Sequence, residues 1–268
     1  MIIVSDYRDP HLNLAIEEML MRQAPDKPVL FLWRSLPAVI IGKNQNPWKE
    51  CDLEFMESMH MTIARRISGG GAVYHDPGNL NCCLITQRTA YNPDDLSAIM
   101  LRAIASLGME ARRGGNSLFI QQRKISGSAY CLQKNMALHH CTLLVSADLD
   151  ALRRALTPHK ECFDSKAVES IPSPVASLKD FLPGITMDQA AETIRRSFGD
   201  SRRIHHAADI CQHPDFRDIY AKHRSWDWTF GHTPRFSVEH GGKSLTVEHG
   251  MVTGPAGAGS LIGKRFPG

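Results

Sequence analysis

The sequence predicts an α+β fold in which helices flank a mixed or antiparallel β-sheet. Segments rich in β-forming residues outnumber those of a simple strand–helix alternation and come in close pairs, such as Val29–Trp33 with Ala38–Ile41. We expect that pair to form a hairpin. Segments with apolar residues at helical spacing, such as Pro93–Leu107, separate the pairs. This arrangement favours the α+β class over a doubly wound parallel sheet.

Local signals place the remaining elements. Asp9-Pro10 predicts a helix start, with the aspartate as N-cap and the proline in the first turn. The turn 76–79 predicts a second strand pair, Ala72–His75 with Leu80–Thr86. Other predicted helices are Glu50–His60, Thr186–Phe198 and Asp215–His223, and other predicted strands are Ile2–Val4, Thr62–Arg66, Leu118–Gln122, Lys124–Ser128 and Thr142–Ala147.

Composition limits the possible partners and compartments. The 268 residues are 43% hydrophobic and 22% charged, with a net charge of +3, as expected of a soluble globular protein. That charge is too small to indicate nucleic acid as a partner. No segment approaches the roughly 18 apolar residues of a membrane helix, so no membrane is expected either. We expect the cytoplasm, or the mitochondrial matrix if a transit peptide has already been removed.

The seven cysteines point to a reducing compartment. Their number is odd, no C-x-x-C pair occurs, and several lie in apolar runs, which predicts buried thiols. They are Cys51, Cys82, Cys83, Cys131, Cys141, Cys162 and Cys211.

The C-terminal tail differs in character from the rest. Glycines at 241–242 and across 254–259 interrupt short β-like pieces. A folded domain below about 40 residues usually needs disulfides, a metal ion or oligomerisation to be stable. The sequence therefore predicts a main domain over residues 1–238 and a short extension over 239–268.

Residues 65–76, R-R-I-S-G-G-G-A-V-Y-H-D, form the most informative segment. Three glycines after a strand let backbone N–H groups approach a ligand closely. Arg65 and Arg66 can face phosphate or carboxylate oxygens as bidentate donors. The segment is neither a Walker loop nor a dinucleotide fingerprint. It indicates an anion or nucleotide site, although a glycine-rich turn with two solvated arginines has the same pattern.

Two further segments carry candidate chemistry. Lys124 opens a strand and precedes Ser-Gly-Ser, so its ammonium could lie at a site edge, although a solvated surface lysine is the commoner case. His139 and His140 are neighbours on a predicted strand and should face opposite ways. We therefore expect one histidine to be buried and hydrogen-bonded and the other to lie near a site, without a shared metal ion.

Taken together in this order, the segments resemble the lipoate–protein ligase A and lipoyltransferase family. The resemblance spans roughly residues 1–238 and includes R-R-x-S-G-G-G-A-V-Y-H-D, R-K-I-S-G-S-A-Y, H-H-C-T-L-L and W-D-W-T-F-G, together with blocks at 30–34, 41–51 and 170–175. It implies the class II synthetase-like catalytic domain of biotin and lipoate ligases.

The resemblance implies an enzyme that converts lipoate and ATP into lipoyl-AMP and passes the acyl group to a lysine of a carrier domain. Lys124 matches the catalytic position, and a Mg²⁺ ion would bridge ATP phosphates; no protein ligand to a metal is assigned. The implied nucleotide-binding residues are Arg66, Gly71, Ala72, Val73, Tyr74 and Lys124. The implied lipoate-binding residues are Trp33, Ser68, His75, Lys124 and His140. Trp33 could equally serve only to pack the core, and His140 could equally make only a structural hydrogen bond.

Two departures from the family qualify this expectation. Ser117 stands where relatives commonly carry a carboxylate, and the C-terminal accessory domain of the bacterial ligases is largely absent. We therefore expect the chain to use preformed lipoyl-AMP better than lipoate with ATP, and to work with a separate small accessory subunit. The resemblance implies as acceptors the lipoyl carrier domains of 2-oxoacid dehydrogenase complexes or the glycine-cleavage H protein.

Two other functions fit the sequence. One is a cysteine-dependent octanoyl or lipoyl amidotransferase, with Cys141 or Cys131 as nucleophile. The other is a non-catalytic protein that binds lipoate or lipoyl-AMP. A biotin ligase fits residues 65–76 and 124–130 less well.

Overall fold

The computed structural model describes residues 1–157, 163–199, 204–255 and 261–267. Cys162 and residues 256–259 of the glycine-rich tail lie outside this part of the chain. The strands are β1 Ile2–Val4, β2 Val29–Trp33, β3 Ala38–Ile41, β4 Thr62–Arg65, β5 Val73–His75, β6 Asn79–Gln87, β7 Arg112–Gly114, β8 Ser117–Ile120, β9 Arg123–Leu132, β10 Met136–Leu144, β11 Phe163–Ser165, β12 Ile204–His206, β13 Phe236–His240, β14 Lys243–Glu248 and β15 Met251–Gly254.

The helices vary from one turn to more than three. They are α1 Pro10–Arg22, α2 Pro47–Glu50, α3 Leu53–Ser58, α4 Asp95–Ser106, α5 Leu149–Ala155, α6 Met187–Phe198, α7 Ala208–Cys211 and α8 Phe216–Arg224, with 3₁₀ turns at Arg88–Ala90 and Leu178–Asp180 and a π-helical turn at Asp227–Gly231. None of these helices has the length and apolar character that crossing a bilayer requires.

The chain forms two compact units, each assembled from three separate segments. The first unit contains residues 1–36, 75–149 and 172–219, and the second contains residues 37–74, 150–171 and 220–268.

The first unit contains a mixed sheet with the order β12-β1-β2-β6-β10-β9-β8-β7. β1 pairs with β12 and β2 in parallel, whereas β6 pairs with β2 and β10 in antiparallel. Apolar side chains of α4 and α6, including Leu96, Ile104 and Ile194, pack against it in one continuous core. The predicted α+β class, with a mixed sheet and flanking helices, is confirmed.

The second unit contains two smaller sheets, ordered β4-β3-β5 and β11-β13-β14-β15. One core gathers Val39, Ile41 and Tyr74 with apolar residues of α3. The other gathers Trp48 with Phe236 and Val247. Strands β14 and β15, from the predicted extension, therefore pair and pack within this unit.

The predicted hairpin between Val29–Trp33 and Ala38–Ile41 is wrong. β2 pairs with β1 and β6, whereas β3 pairs with β4 in another sheet. Every residue of both strands is buried, so each needs neighbours on both faces and both edges, which a two-stranded hairpin does not supply. The predicted pair of β5 and β6 is likewise divided between two sheets.

Helix capping explains one further confirmation and one further error. Helix α1 starts as predicted, because the Asp9 carboxylate accepts a hydrogen bond from the His11 N–H at 2.8 Å. The single helix predicted over Glu50–His60 is wrong. Asn46 caps the short helix α2, and Asp52 then caps α3 by accepting from the Phe55 N–H at 2.8 Å.

Candidate functional site

One face of the sheet in the first unit carries a row of polar side chains. Across β2, β6 and β10, Trp33 lies opposite Asn81, which lies opposite Thr142. Two residues after Asn81 on β6, Cys83 lies opposite His140 of β10. Directly opposed residues share a face, and so do residues two apart on one strand. The predicted residues Trp33 and His140 therefore face the same side.

A buried glutamate connects these two residues. The Trp33 Nε1–H donates to Glu17 Oε1 at 2.9 Å, and His140 Nδ1 lies 2.8 Å from Glu17 Oε2. The Glu17 side chain is only 2% exposed. A buried carboxylate needs such partners, because desolvation is costly without them. The network fixes the orientation of both the indole and the imidazole.

The predicted residue His75 joins the same group. Its ring packs edge-on against Trp33 with the centroids 5.3 Å apart. Its Nδ1 lies 3.4 Å from Nδ2 of Asn81. Trp33, His75 and His140 are therefore brought together within the first unit, whereas Ser68 belongs to the second unit.

Glu17 and Asn81 were missed by the sequence analysis. Glu17 does have a signal, since Asn13 and Glu17 are both polar and lie four residues apart in a helix that is otherwise apolar on that side. Side chains at that spacing share a helix face. Both are almost completely buried. Asn81 has no comparable signal, because its alternation with apolar residues is that of any half-buried strand.

Lys124 extends the polar face towards the edge of β9. Its backbone is clamped, because its N–H donates to the Pro174 carbonyl at 2.8 Å and its carbonyl accepts from the Ala176 N–H at 2.9 Å. Its side chain folds over Gly127, whose N–H donates to the Thr142 hydroxyl at 3.2 Å. The ammonium therefore lies on the face that carries Thr142 and Trp33.

The electrostatic setting of Lys124 differs from that of a surface lysine. Burial lowers the pKa of its ammonium, because a charged group loses hydration there. Within the part of the chain that the structure describes, no carboxylate forms an ion pair with it. The positive charge is thus available to an anionic ligand.

His139 and His140 face opposite ways, as strand geometry predicts, but the hydrogen bond expected of the buried histidine is found on the site-facing His140 instead. His140 faces Glu17, whereas His139 faces the opposite side, where its ring lies near Tyr91 and Tyr130. Burial, followed by His140 and the Arg113 charge, lowers the pKa of His139 to about 4. Its Nδ1 has no hydrogen-bond partner among the described residues, so His139 is a neutral, buried side chain.

In the second unit, Arg66 organises the glycine-rich loop. Its guanidinium donates to the carbonyls of Gly69 and Gly71 at 2.6 and 2.7 Å, and to the Ser68 hydroxyl at 3.0 Å. The side chain is 4% exposed. These bonds turn the loop carbonyls inward, and they leave Gly69 and Gly70 at the surface.

Arg65 has a different position from the one expected. It is fully buried, and its guanidinium donates to backbone carbonyls of Gly42, Lys43, Gln45, Trp228 and Thr229 and to the Thr233 hydroxyl. The expectation that Arg65 can face a ligand anion is therefore wrong. Its role is structural, because it joins the loop after β3 to the W-D-W-T-F-G segment.

Ser170 supports the other side of the loop. Its hydroxyl accepts from the Ala72 N–H at 2.9 Å and from the Gln45 side chain at 3.1 Å, and it donates to the Glu50 carboxylate. Burial raises the pKa of Glu50. A side chain on Gly71 would approach the Ser170 hydroxyl to 2.9 Å, so glycine is required for this close approach.

The remaining predicted nucleotide residues follow the loop into β5. The Tyr74 ring packs in the core with Val39 and Ile41, so it can offer a ligand its backbone alone. Val73 is partly exposed. In the first unit, Ser117 begins β8 and lines a pocket with Asn116, Ser126 and other residues.

Comparison with known proteins identifies the family. Residues 9–199 match the model of the lipoyl protein ligase A/B catalytic domain. This match spans more than half of the chain, so the chain belongs to that family.

Solved structures agree with this assignment. LipL1 of P. falciparum in complex with lipoate is 27% identical, with a TM-score of 0.78, over 94% of this chain and 82% of that one. A lipoate-protein ligase A bound with ATP is 25% identical, with a TM-score of 0.71, over 86% and 98% of the two chains. A chain from the structural analysis of a bipartite lipoate protein ligase and its E2 lipoyl domain from Thermoplasma acidophilum is 25% identical, with a TM-score of 0.69, over 86% and 95% of the two chains.

Proposed function

We propose that this chain attaches lipoate to the lysine of a lipoyl carrier domain through a lipoyl-AMP intermediate. The main supporting observation lies in the first unit. There the Lys124 ammonium lies on the same sheet face as the network of Trp33, Glu17 and His140. An acid with a long apolar chain needs a cation for its carboxylate and an enclosed, partly aromatic lining for its chain.

Two group transfers make up the proposed reaction. First, a lipoate carboxylate oxygen attacks the α-phosphorus of ATP, and the bond to the leaving pyrophosphate breaks. Secondly, the neutral amine of the carrier lysine attacks the acyl carbonyl, AMP leaves, and the amine loses a proton. Lys124 stabilises negative charge in both steps. The relatives solved with lipoate and with ATP support these two substrates.

We assign nucleotide binding to Arg66, Gly71, Ala72, Val73, Tyr74 and Lys124. Arg66 acts mainly by shaping the loop, because its donors already bind loop oxygens. We assign lipoate binding to Trp33, Ser68, His75, Lys124 and His140, and we add Glu17 as the residue that orients Trp33 and His140.

The described residues do not form a dedicated Mg²⁺ site. The one group of three candidate ligands among them mixes nitrogen, sulfur and oxygen, whereas Mg²⁺ prefers oxygen ligands. We propose that Mg²⁺ arrives bound to ATP.

Adenylation is the less efficient of the two proposed steps in this chain. Ser117 supplies a hydroxyl where the family resemblance implies a carboxylate, and a hydroxyl is a poorer partner for a metal–phosphate group. We propose that the chain uses preformed lipoyl-AMP better than lipoate with ATP, and that a separate small accessory subunit improves the first step. The bipartite relative supports the second point.

Carrier domains are the proposed protein partners. The relative whose structural analysis covers a ligase and its E2 lipoyl domain supports the lipoyl domains of 2-oxoacid dehydrogenases as acceptors, and the glycine-cleavage H protein is an alternative acceptor. We place the catalytic domain at residues 1–238, with residues 239–268 as an extension, in the cytoplasm or mitochondrial matrix.

One experiment tests the proposal. The purified chain is incubated with a lipoyl domain and either lipoate, ATP and Mg²⁺ or lipoyl-AMP, and the mass of the carrier is measured. We expect a lipoyl increment with both donors and faster modification with lipoyl-AMP. Lys124→Ala should abolish both reactions. Equal rates with the two donors would contradict the donor preference, and full activity of Lys124→Ala would remove that lysine from the mechanism.

The cysteine-dependent alternative has less support. Cys141 is 6% exposed and packs in the apolar core, where its thiol shares a hydrogen bond with Cys82 on the adjacent strand. It lies one residue from His140 and so faces the side away from Lys124. Retained transfer by Cys141→Ser and by Cys131→Ser would argue against this mechanism. A purely binding protein would hold lipoyl-AMP without modifying any carrier.

A further inference from the structure

We propose that Glu17, Cys83 and His140 form a binding site for a thiophilic divalent cation such as Zn²⁺. One ligand atom from each residue lies within 4.8 Å of the other two. The three residues come from α1, β6 and β10, so the tertiary fold brings them together. Metal binding by these residues is independent of the proposed function.

The chemistry of the three atoms selects the class of ion. An imidazole nitrogen, a thiolate sulfur and a carboxylate oxygen are the ligands that Zn²⁺ takes, usually in tetrahedral geometry. The sulfur disfavours Mg²⁺ and Ca²⁺, which prefer oxygen. Three protein ligands leave a fourth position for water or another ligand.

The site is already held in place. Glu17 is anchored by the Trp33 indole N–H at 2.9 Å, and its other oxygen lies 2.8 Å from His140 Nδ1. Cys83 is completely buried. The His140 side chain is 12% exposed, so it provides the approach for an ion. Such supporting bonds to ligands are typical of metal sites.

Protons must leave when the ion binds. The Cys83 thiol loses one proton to solvent and becomes a thiolate. His140 binds through a ring nitrogen that carries no proton. Glu17 binds as the carboxylate. At least one proton is therefore released for each divalent ion, and the affinity should increase with pH.

Occupation would have a consequence that does rest on the proposed function. The ion would take the carboxylate that now holds Trp33 and His140 in place. Because we assign both side chains to lipoate binding, Zn²⁺ should inhibit carrier modification by lipoate and ATP, in competition with lipoate.

Metal titration of the unliganded protein provides the test. Zn²⁺ affinity is measured by competition with a chromophoric chelator, and Co²⁺ serves as a spectroscopic probe because thiolate ligation gives a near-ultraviolet charge-transfer band. We expect one tight ion, the thiolate band, and at least a tenfold loss of affinity with loss of the band in Cys83→Ala. The matched control is Cys82→Ala, because Cys82 is the neighbouring buried cysteine on the opposite face.

A second variant tests the site independently in case Cys83→Ala does not fold. His140→Gln should also weaken Zn²⁺ binding at least tenfold, while it retains the Cys83 thiol. Circular dichroism establishes that each variant is folded. Absence of a thiolate band in the parent protein, or equal affinities of Cys83→Ala and Cys82→Ala, would overturn the site. Because no substrate is present, this result does not depend on whether lipoate transfer occurs.

Discussion

The Nζ atom of Lys124 lies so close to Gly127 that a Cβ added to the glycine would stand 3.0 Å from it. Gly127 therefore makes room for the lysine side chain. The atoms that such a Cβ would crowd belong to the flexible end of the Lys124 side chain, which can move aside at small cost to the fold. A substitution at Gly127 should therefore move the Lys124 ammonium without greatly changing the stability of the fold.

We predict that Gly127→Ala reduces acyl transfer from lipoyl-AMP by about tenfold to a hundredfold, because a displaced ammonium no longer stabilises the reacting oxygens. The Tm should change little. Rates are measured by carrier mass and stability by calorimetry. Gly184→Ala is the control, because no atom lies within 4 Å of a Cβ there. A rate for Gly127→Ala equal to that of the control would show that the lysine position is not critical.

The second prediction concerns Ser117. We expect Ser117→Asp to raise the rate with lipoate, ATP and Mg²⁺ relative to the rate with lipoyl-AMP, because a carboxylate is a better partner for a metal–phosphate group. The ratio of the two rates is measured by carrier mass. Ser106→Asp adds the same charge at an exposed position of α4 and should leave the ratio unchanged. An unchanged ratio in Ser117→Asp would mean that the hydroxyl does not limit adenylation.

The third prediction concerns acid stability. The pKa of His139 falls from 6.5 to about 4 on folding, mainly because of burial. Below pH 6.5 the unfolded chain binds a proton that the folded chain excludes, so stability decreases as the pH falls towards about 4. The full effect of this residue is about 3 kcal/mol.

Urea unfolding at pH 7 and pH 4.5 measures this effect. His139→Asn should lose less stability than the parent over this interval, because it has no proton to exclude. His206→Asn, at an exposed histidine of β12, should behave like the parent. If His139→Asn and the parent have the same pH dependence, His139 is not the group that titrates.

The fourth prediction concerns Arg65. Arg65→Met should lower the free energy of unfolding by about 3 kcal/mol or more, because several buried carbonyls lose their donor. Burial lowers the pKa of the guanidinium to about 10, which still leaves it charged at neutral pH. Urea unfolding measures the loss. Arg112→Met, at an exposed arginine, should cost less than about 1 kcal/mol, and equal costs would contradict the structural role.

Local signals in the sequence were sufficient where the chemistry is local. Asp9-Pro10 correctly predicted the start of α1, because an N-cap bond involves residues two apart. The opposite faces of His139 and His140 followed from strand geometry alone. The pairing of β2 and β3 was missed, because it depends on which distant strands cover a fully buried segment.

The site also combines residues that the sequence identifies with residues that only tertiary contacts identify. Sequence resemblance selected Trp33, His75 and His140, which the structure brings together in the first unit. It did not select Glu17, which lies more than 120 residues from His140 along the chain and is joined to it by a tertiary hydrogen bond. Arg65 and Arg66 look equivalent in the sequence, but only the three-dimensional acceptors reveal that Arg65 is committed to the interior.

The pairing of β1 with β12 governs how the chain can fold during synthesis. Residues 2–4 leave the ribosome about 200 residues before residues 204–206, which form one of their neighbouring strands. At about 5–20 residues per second, that interval lasts roughly 10–40 s. During it the outer edge of β1 presents unpaired N–H and C=O groups to other nascent chains. Expression at lower temperature or with a chaperone that shields such edges should therefore increase the yield of native protein.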